Sequence, residues 1–117
     1  MCELRIRRIY EPAEPGDGFR ALVDRLWPRG ISTEHAALDA WWKDLAPTPA
    51  LRSEWHRHPE QYESFAEHYR AEIAANPAVE EALSVIRAQS IVTLLYGAHD
   101  TERNHAIILR DALAARL

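Results

Sequence analysis

Two stretches of the chain concentrate side chains able to hold an anion or move a proton. The first is Asp24-Arg25-Leu26-Trp27-Pro28-Arg29-Gly30, where the apolar run Ala21-Leu22-Val23 ends abruptly in charge. Arg25 and Arg29 offer planar forks of donors that suit phosphate or carboxylate. Asp24 is a candidate base, and Pro28 with Gly30 makes a stiff corner. Trp27 either seals the floor of a pocket or offers a stacking face. The second stretch runs from Tyr96 and Gly97 to His105. Gly97 permits a sharp turn or a close backbone approach. Arg103, Asn104 and His105 fall near the start of a helix, whose free N–H groups and positive dipole end favour anions. Asp100 reads as a helix cap or as a second base. His105 is a third candidate, because a free histidine side chain, with a pKa of about 6.5, suits acid or base work near neutral pH.

The elements that must position these groups follow from periodicity. Leu4 to Tyr10 alternates apolar and basic residues as a half-covered strand does, and Phe19 to Leu26 reads as a second strand. Between them, Glu11 to Gly18 holds two prolines and two glycines and must turn. Leu38, Trp41, Trp42 and Leu45 recur at helical spacing, with Ser32 or Thr33 as N-cap and Ala46-Pro47-Thr48-Pro49 as terminator. A short helix carrying Leu51 and Trp55 stops before Pro59. Tyr62, Phe65, Ala66, Tyr69 and Ile73 form the stripe of another. Asn76 and Pro77 start a third, with Val79, Ala82, Leu83 and Ile86 facing inward. Ile91 to Tyr96 is the clearest strand, and Asp100 or Thr101 caps a last helix with Ala106, Leu109, Ala112 and Leu113 on its apolar side.

That order predicts one α/β domain over residues 1–117, a Rossmann-like or flavodoxin-like sandwich with a small, mainly parallel sheet flanked by helices. The eight-residue first connection is short for a parallel crossover, so the first two strands read either as a hairpin or as a parallel pair. The second and last strands, joined through helices, are expected to be parallel. Their carboxyl ends then share one edge, and in open α/β sheets that edge binds ligands.

Composition narrows the classes of function. With 117 residues and a formal net charge of −4, the chain is no general nucleic-acid-coating protein. It has no apolar stretch near the roughly 20 residues that span a bilayer and no signal-peptide pattern, and Cys2 is its lone cysteine. A cytoplasmic location is the expectation. His56 with His58, and His99 with His105, invite a metal reading. Alternate residues face different ways, however, and neither a zinc signature nor a phosphate-loop signature is present, so no metal and no cofactor is expected. Trp41 and Trp55, at helical spacing, read as core. Asp44 is placed to hold an arginine if its helix folds over the sheet edge.

The run Arg20 to Gly30 closely resembles the signature of the DUF488 (YeaO-like) family. So do Trp42-Lys43-Asp44-Leu45-Ala46-Pro47, His58-Pro59 with Tyr69-Arg70, and Thr93 to Tyr96 continuing to Asp100 and Asn104-His105-Ala106. The likeness implies a domain of uncharacterised function whose first two strands are parallel with a degenerate crossover. Longer relatives carry a cysteine-containing segment where this chain has Tyr96 and Asn104. The layout is also distantly similar to rhodanese and cysteine-dependent phosphatases, whose nucleophile sits where Tyr96 stands. Without a thiolate there, sulfur transfer and phosphocysteine chemistry are not expected.

Three functions remain open. One is an enzyme on a small anionic or phosphorylated substrate, with Asp24, Asp100 and His105 as acid–base groups. Arg25, Trp27, Arg29, Gly30, Tyr96, Gly97, Arg103 and Asn104 would then bind the ligand. Another is a non-catalytic sensing or protein-interaction module using the same pocket. The last is a nucleic-acid accessory protein, with Arg5, Arg7, Arg20, Arg25 and Arg29 along one side and Trp27 stacking on a base. The acidic total weighs against that option.

Overall fold

The computed structural model describes residues 2–117. Its sheet contains β1 (Glu3–Arg8), β2 (Phe19–Leu22), β3 (Ala40–Trp41) and β4 (Ile91–Tyr96) in the order β1-β4-β2-β3, every pair parallel. Five helices accompany it among the described residues: α1 (Thr33–Ala36), α2 (Pro49–Arg57), α3 (Tyr62–Ala75), α4 (Ala78–Arg87) and α5 (His105–Ala114). The α/β class and the parallel sheet are as the sequence implies. No helix among the described residues is long and apolar enough to cross a membrane.

The sheet alternates its faces as the pleat requires. Ala21, Val23, Val92, Leu94 and Tyr96 point into the larger cluster with Phe65, Tyr69, Leu83, Ile86 and Leu109. Leu22 and Leu95 point the other way, joining Ile9 and Ala36. The inward residues read for α3 and α4 are the buried ones.

Three expectations change. First, β1 and β2 are neither a hairpin nor neighbours, because β4 lies between them and pairs with both. The short first connection therefore only has to span a two-strand step. Second, the regular pairing of β2 ends at Leu22 rather than Leu26, with one more rung where the Val23 N–H donates to Leu95 O at 2.9 Å. β1 likewise ends at Arg8 rather than Tyr10.

Third, the helix read through Leu38, Trp41, Trp42 and Leu45 does not form. Ser32 caps only the single turn of α1, which Ala37 closes at φ 46°. The chain then lies along the open edge of β2. Asp39 N–H donates to Arg20 O and Trp42 N–H to Leu22 O, each at 2.8 Å. An unpaired strand edge is a stronger claim on backbone groups than the modest helix propensity of tryptophan. The apparent stripe is also divided: Leu38 packs with the cluster on one face of the sheet, Trp42 and Leu45 with the cluster on the other. Thr48 caps α2 instead, its hydroxyl accepting from Leu51 N–H, with Pro49 in the first turn.

Candidate functional site

Parallel β2 and β4 bring their carboxyl ends to one edge, and there the two stretches singled out in the sequence meet. Asp24 Oδ2 accepts the Gly97 N–H at 2.9 Å. A Cβ on residue 97 would stand 2.9 Å from that same oxygen, so only glycine allows the approach. His105, the first residue of α5, reaches back across the gap. Its Nε2 lies 2.9 Å from Val23 O and 3.2 Å from Asp24 Oδ1. A carbonyl can only accept, so Nε2 carries the proton and directs it to Val23. The contact with Asp24 is then electrostatic, and Oδ1 is left buried without a hydrogen bond. The pair is largely enclosed, with side-chain exposures of 20% for Asp24 and 11% for His105. Tyr69 packs edge-on against the imidazole at 6.2 Å. Burial raises the Tyr69 phenol well above its ordinary value, and the charges of Glu72 and Asp24 add to this.

Arg25 turns away from solvent to hold the connection before α2, donating from Nη2 to Ala46 O at 3.1 Å and from Nε to Pro47 O at 3.3 Å. Asp44 stands 4.0 Å from its Nη1. Arg29 is mounted on a turn: Ile31 N–H reaches Pro28 O at 3.4 Å, and Gly30 takes the left-handed position at φ 78°. The Tyr10 hydroxyl donates to Arg29 O at 2.9 Å, fixing the backbone while the guanidinium stays exposed. Trp27 is also pinned, its Nε1 donating to Ile31 O at 2.8 Å and its ring edge-on to Trp41 at 5.4 Å.

Around these groups lies a cleft of about 400 Å³. Asp24, Arg25, Trp27, Arg29, Gly97 and His105 line it. Tyr10 and Leu26 also line it, and so do Arg52, Trp55 and His56, which the sequence reading did not assign to the site. The last three share one face of α2, and their i, i+3, i+4 spacing was the available signal. That α2 folds over the sheet edge is a tertiary fact with no local mark. Trp55 serves both roles, stacking on Phe65 at 4.2 Å while walling the cleft. Trp41 is 38% exposed rather than core. Burial lowers the pKa of His56, and the charge of Arg52 lowers it further.

The remaining candidates stand apart from the cleft lining. Gly30 supports the corner without facing the cavity. Tyr96 is buried in the core; burial raises its phenol, with the Arg8 charge and the Asn104 side chain among the opposing influences. Asn104, not Asp100 or Thr101, caps α5, accepting Ile107 N–H at 3.1 Å and donating to Asp100 O at 2.9 Å. Asp100 is exposed and closes the preceding turn, accepting from Glu102 and Arg103 N–H. Those two bonds hold its carboxyl below the usual range. Arg103 is exposed and precedes the helix.

Of the five arginines read as one basic side, Arg5 pairs with Glu3. Arg7 and Arg20 converge on buried Asp17, and Arg25 and Arg29 reach the cleft. The histidines do not gather: His58 faces Glu54 and Glu60, and His99 lies 3.4 Å from Arg8. Among the described residues no group of three or more His, Cys, Asp or Glu is placed to hold a metal ion.

Residues 3–117 match the family model described as the inactive DUF488-N3 subclade. The chain belongs to the DUF488 family. It is 44% identical over 110 residues to the Escherichia coli K12 protein named uncharacterized protein YeaO, covering 94% of this chain and 96% of that one. It is 37% identical over 113 residues to uncharacterized protein Rv3073c of Mycobacterium tuberculosis H37Rv, covering 97% and 95% of the two chains. No solved structure matches. Of the motifs quoted from the sequence, Asp24 and Arg25 lie on the β2 side of this edge and His105 on its β4 side.

Proposed function

We propose that this DUF488 domain binds a small anionic or phosphorylated ligand in the cleft and does so without catalysing a reaction. One observation carries the reading: three arginines, Arg25, Arg29 and Arg52, line the cavity with a single acidic residue, in a chain whose net charge is −4. That carboxylate, Asp24, is already engaged by Gly97 and His105. A concave site with convergent cations at the carboxyl edge of a parallel sheet is a general location for anion recognition. Forked Arg donors at such a site favour phosphate or carboxylate.

Against turnover stands the structural use of one atom in each candidate acid or base: Asp24 Oδ2 accepts a backbone N–H, His105 Nε2 serves Val23 O, and Asp100 closes an exposed turn. The word inactive in the matched family's description agrees with this reading.

Arg29 and Arg52 provide the test because, among the described residues, neither guanidinium has a hydrogen-bond or ion-pair partner. Calorimetric titration with inorganic phosphate should show saturable binding to the parent protein. Arg29→Gln and Arg52→Gln should each weaken it several-fold, with the melting midpoint of the unliganded protein unchanged. Absence of phosphate binding by the parent at tens of millimolar would refute the proposal.

A further inference from the structure

We infer that the ligand of this cleft carries its anion on a flat aromatic ring, as a nucleoside monophosphate does, with the ring placed at Trp27. The inference rests on the anion-binding reading above and adds the chemical class of the rest of the ligand. An indole left 38% exposed at the mouth of a cleft forgoes the stabilisation that burial would bring. Trp27 is nevertheless held in one orientation, by its bond to Ile31 O and its edge contact with Trp41. An immobilised, accessible aromatic side chain loses little conformational entropy when a ring comes to rest on it. Stacking of this kind is tolerant of base identity because every nucleobase has a π face. Arg29 is two residues away on the same corner and has no partner among the described residues, so one short segment supplies both a ring contact and a cation. Arg52 adds a second cation from α2, and Tyr10 and Trp55 extend the aromatic lining. At about 400 Å³ the cleft falls within the range that holds small organic ligands, roughly 300–1,000 Å³, and is ample for more than a bare phosphate.

Binding of adenosine monophosphate, ribose 5-phosphate and inorganic phosphate to the parent, Trp27→Ala and Trp27→Phe proteins separates the two levels of the reading. Adenosine monophosphate should bind the parent about 5- to 150-fold more tightly than ribose 5-phosphate, the range expected for one stacked base. Trp27→Ala should erase that preference while leaving the ribose 5-phosphate affinity in place, and Trp27→Phe should restore most of it. Equal affinities for the two phosphates in the parent, or a preference that survives Trp27→Ala, would overturn the ring inference and leave the anion cleft standing. If none of the three binds the parent, the anion reading falls with it. Should Trp27→Ala fold poorly, the comparison in the parent and in Trp27→Phe still decides.

Discussion

Replacing Asp24 by asparagine asks whether this residue is a lock or a catalytic base. The substitution keeps the shape and removes the charge. In the parent, Oδ2 accepts the Gly97 N–H at 2.9 Å and Oδ1 lies 3.2 Å from the protonated nitrogen of His105. The imidazole proton is directed to Val23 O, so the amide must accept only from the Gly97 N–H, but it sets a donor where the charge of Oδ1 stood beside the imidazole. With its oxygen on Gly97, its NH₂ abuts the imidazole N–H; flipped, it places NH₂ against the Gly97 N–H. Hydrogen bonds to a charged partner contribute about 1.5–3 kcal/mol, and a buried donor left unpaired costs about 1–3 kcal/mol. The expected loss is therefore about 1–3 kcal/mol. At roughly 4 °C per kcal/mol for a chain of this length, the melting midpoint should fall by about 4–12 °C. Thermal and urea unfolding of Asp24→Asn, His105→Ala and the double variant would measure both the loss and the coupling. The two single losses should sum to more than the double loss, because both remove the same tie between the strand ends and α5. A group held for catalysis at the expense of stability would behave oppositely, since replacing it leaves the protein as stable or more so. An unchanged or raised midpoint for Asp24→Asn would refute the lock.

Other consequences can be checked on the same instruments. Asp17 holds Arg7 and Arg20; burial pushes its carboxyl up, but the Glu14 N–H and the two guanidiniums outweigh this and keep its pKa below the ordinary value. Asp17→Ala should cost about 3–5 kcal/mol, since it leaves buried Arg20 uncompensated. A depressed carboxylate stabilises fully above its unfolded pKa of about 4 and loses that contribution as pH falls through the folded value. The parent should thus lose stability below about pH 4 more steeply than Asp17→Asn, as urea midpoints at pH 7 and pH 3 would show. Asn104→Ala removes the cap of α5 and its bond to Asp100 O, and should lower stability by about 1–2 kcal/mol by urea unfolding. Gly97→Ala drives a Cβ against Asp24 Oδ2, so it should destabilise the parent strongly and Asp24→Ala much less.

Legibility in the sequence followed how local each cause is. β4 is an unbroken apolar run, and α3 and α4 carry single stripes, so their inward residues could be named from spacing alone. The corner at Asp24 was legible because a buried apolar run that turns abruptly charged stands out in the sequence. β3 was not, since its two residues pair only because β2 would otherwise present a bare edge. Trp41 and Trp42 were misread for the same reason, as they alternate across a strand rather than share a helical face. Arg52 and His56 carried a helix-face signal but none for the sheet edge beneath them. Asp17 fell in the turn read over Glu11 to Gly18 and Arg20 in the strand after it, so the pair had no single signal; Arg20 also reaches the Ala36 and Ala37 carbonyls. Cap placement failed at Asp100 because two residues of that loop can cap, and only the packing of Asn104 under Tyr62, whose hydroxyl donates to Asn104 O, selects between them.

At this edge the same residues serve the fold and line the cleft. The distant likeness of the sequence to cysteine-dependent enzymes implied a nucleophile at or near the end of β4. Here Tyr96 occupies that place, buried in the core, and Asn104 is spent on the start of α5. Both positions are structural members. So are the groups beside them: His105 ties α5 to the end of β2, and Asp24 ties the end of β2 to the loop after β4. Each tie stiffens the cleft wall. The cations differ. Among the described residues the guanidiniums of Arg29 and Arg52 have no hydrogen-bond or ion-pair partner, and both residues line the cleft. On the proposed reading these are the groups left to meet an anion, so replacing them should weaken phosphate binding without lowering the melting midpoint.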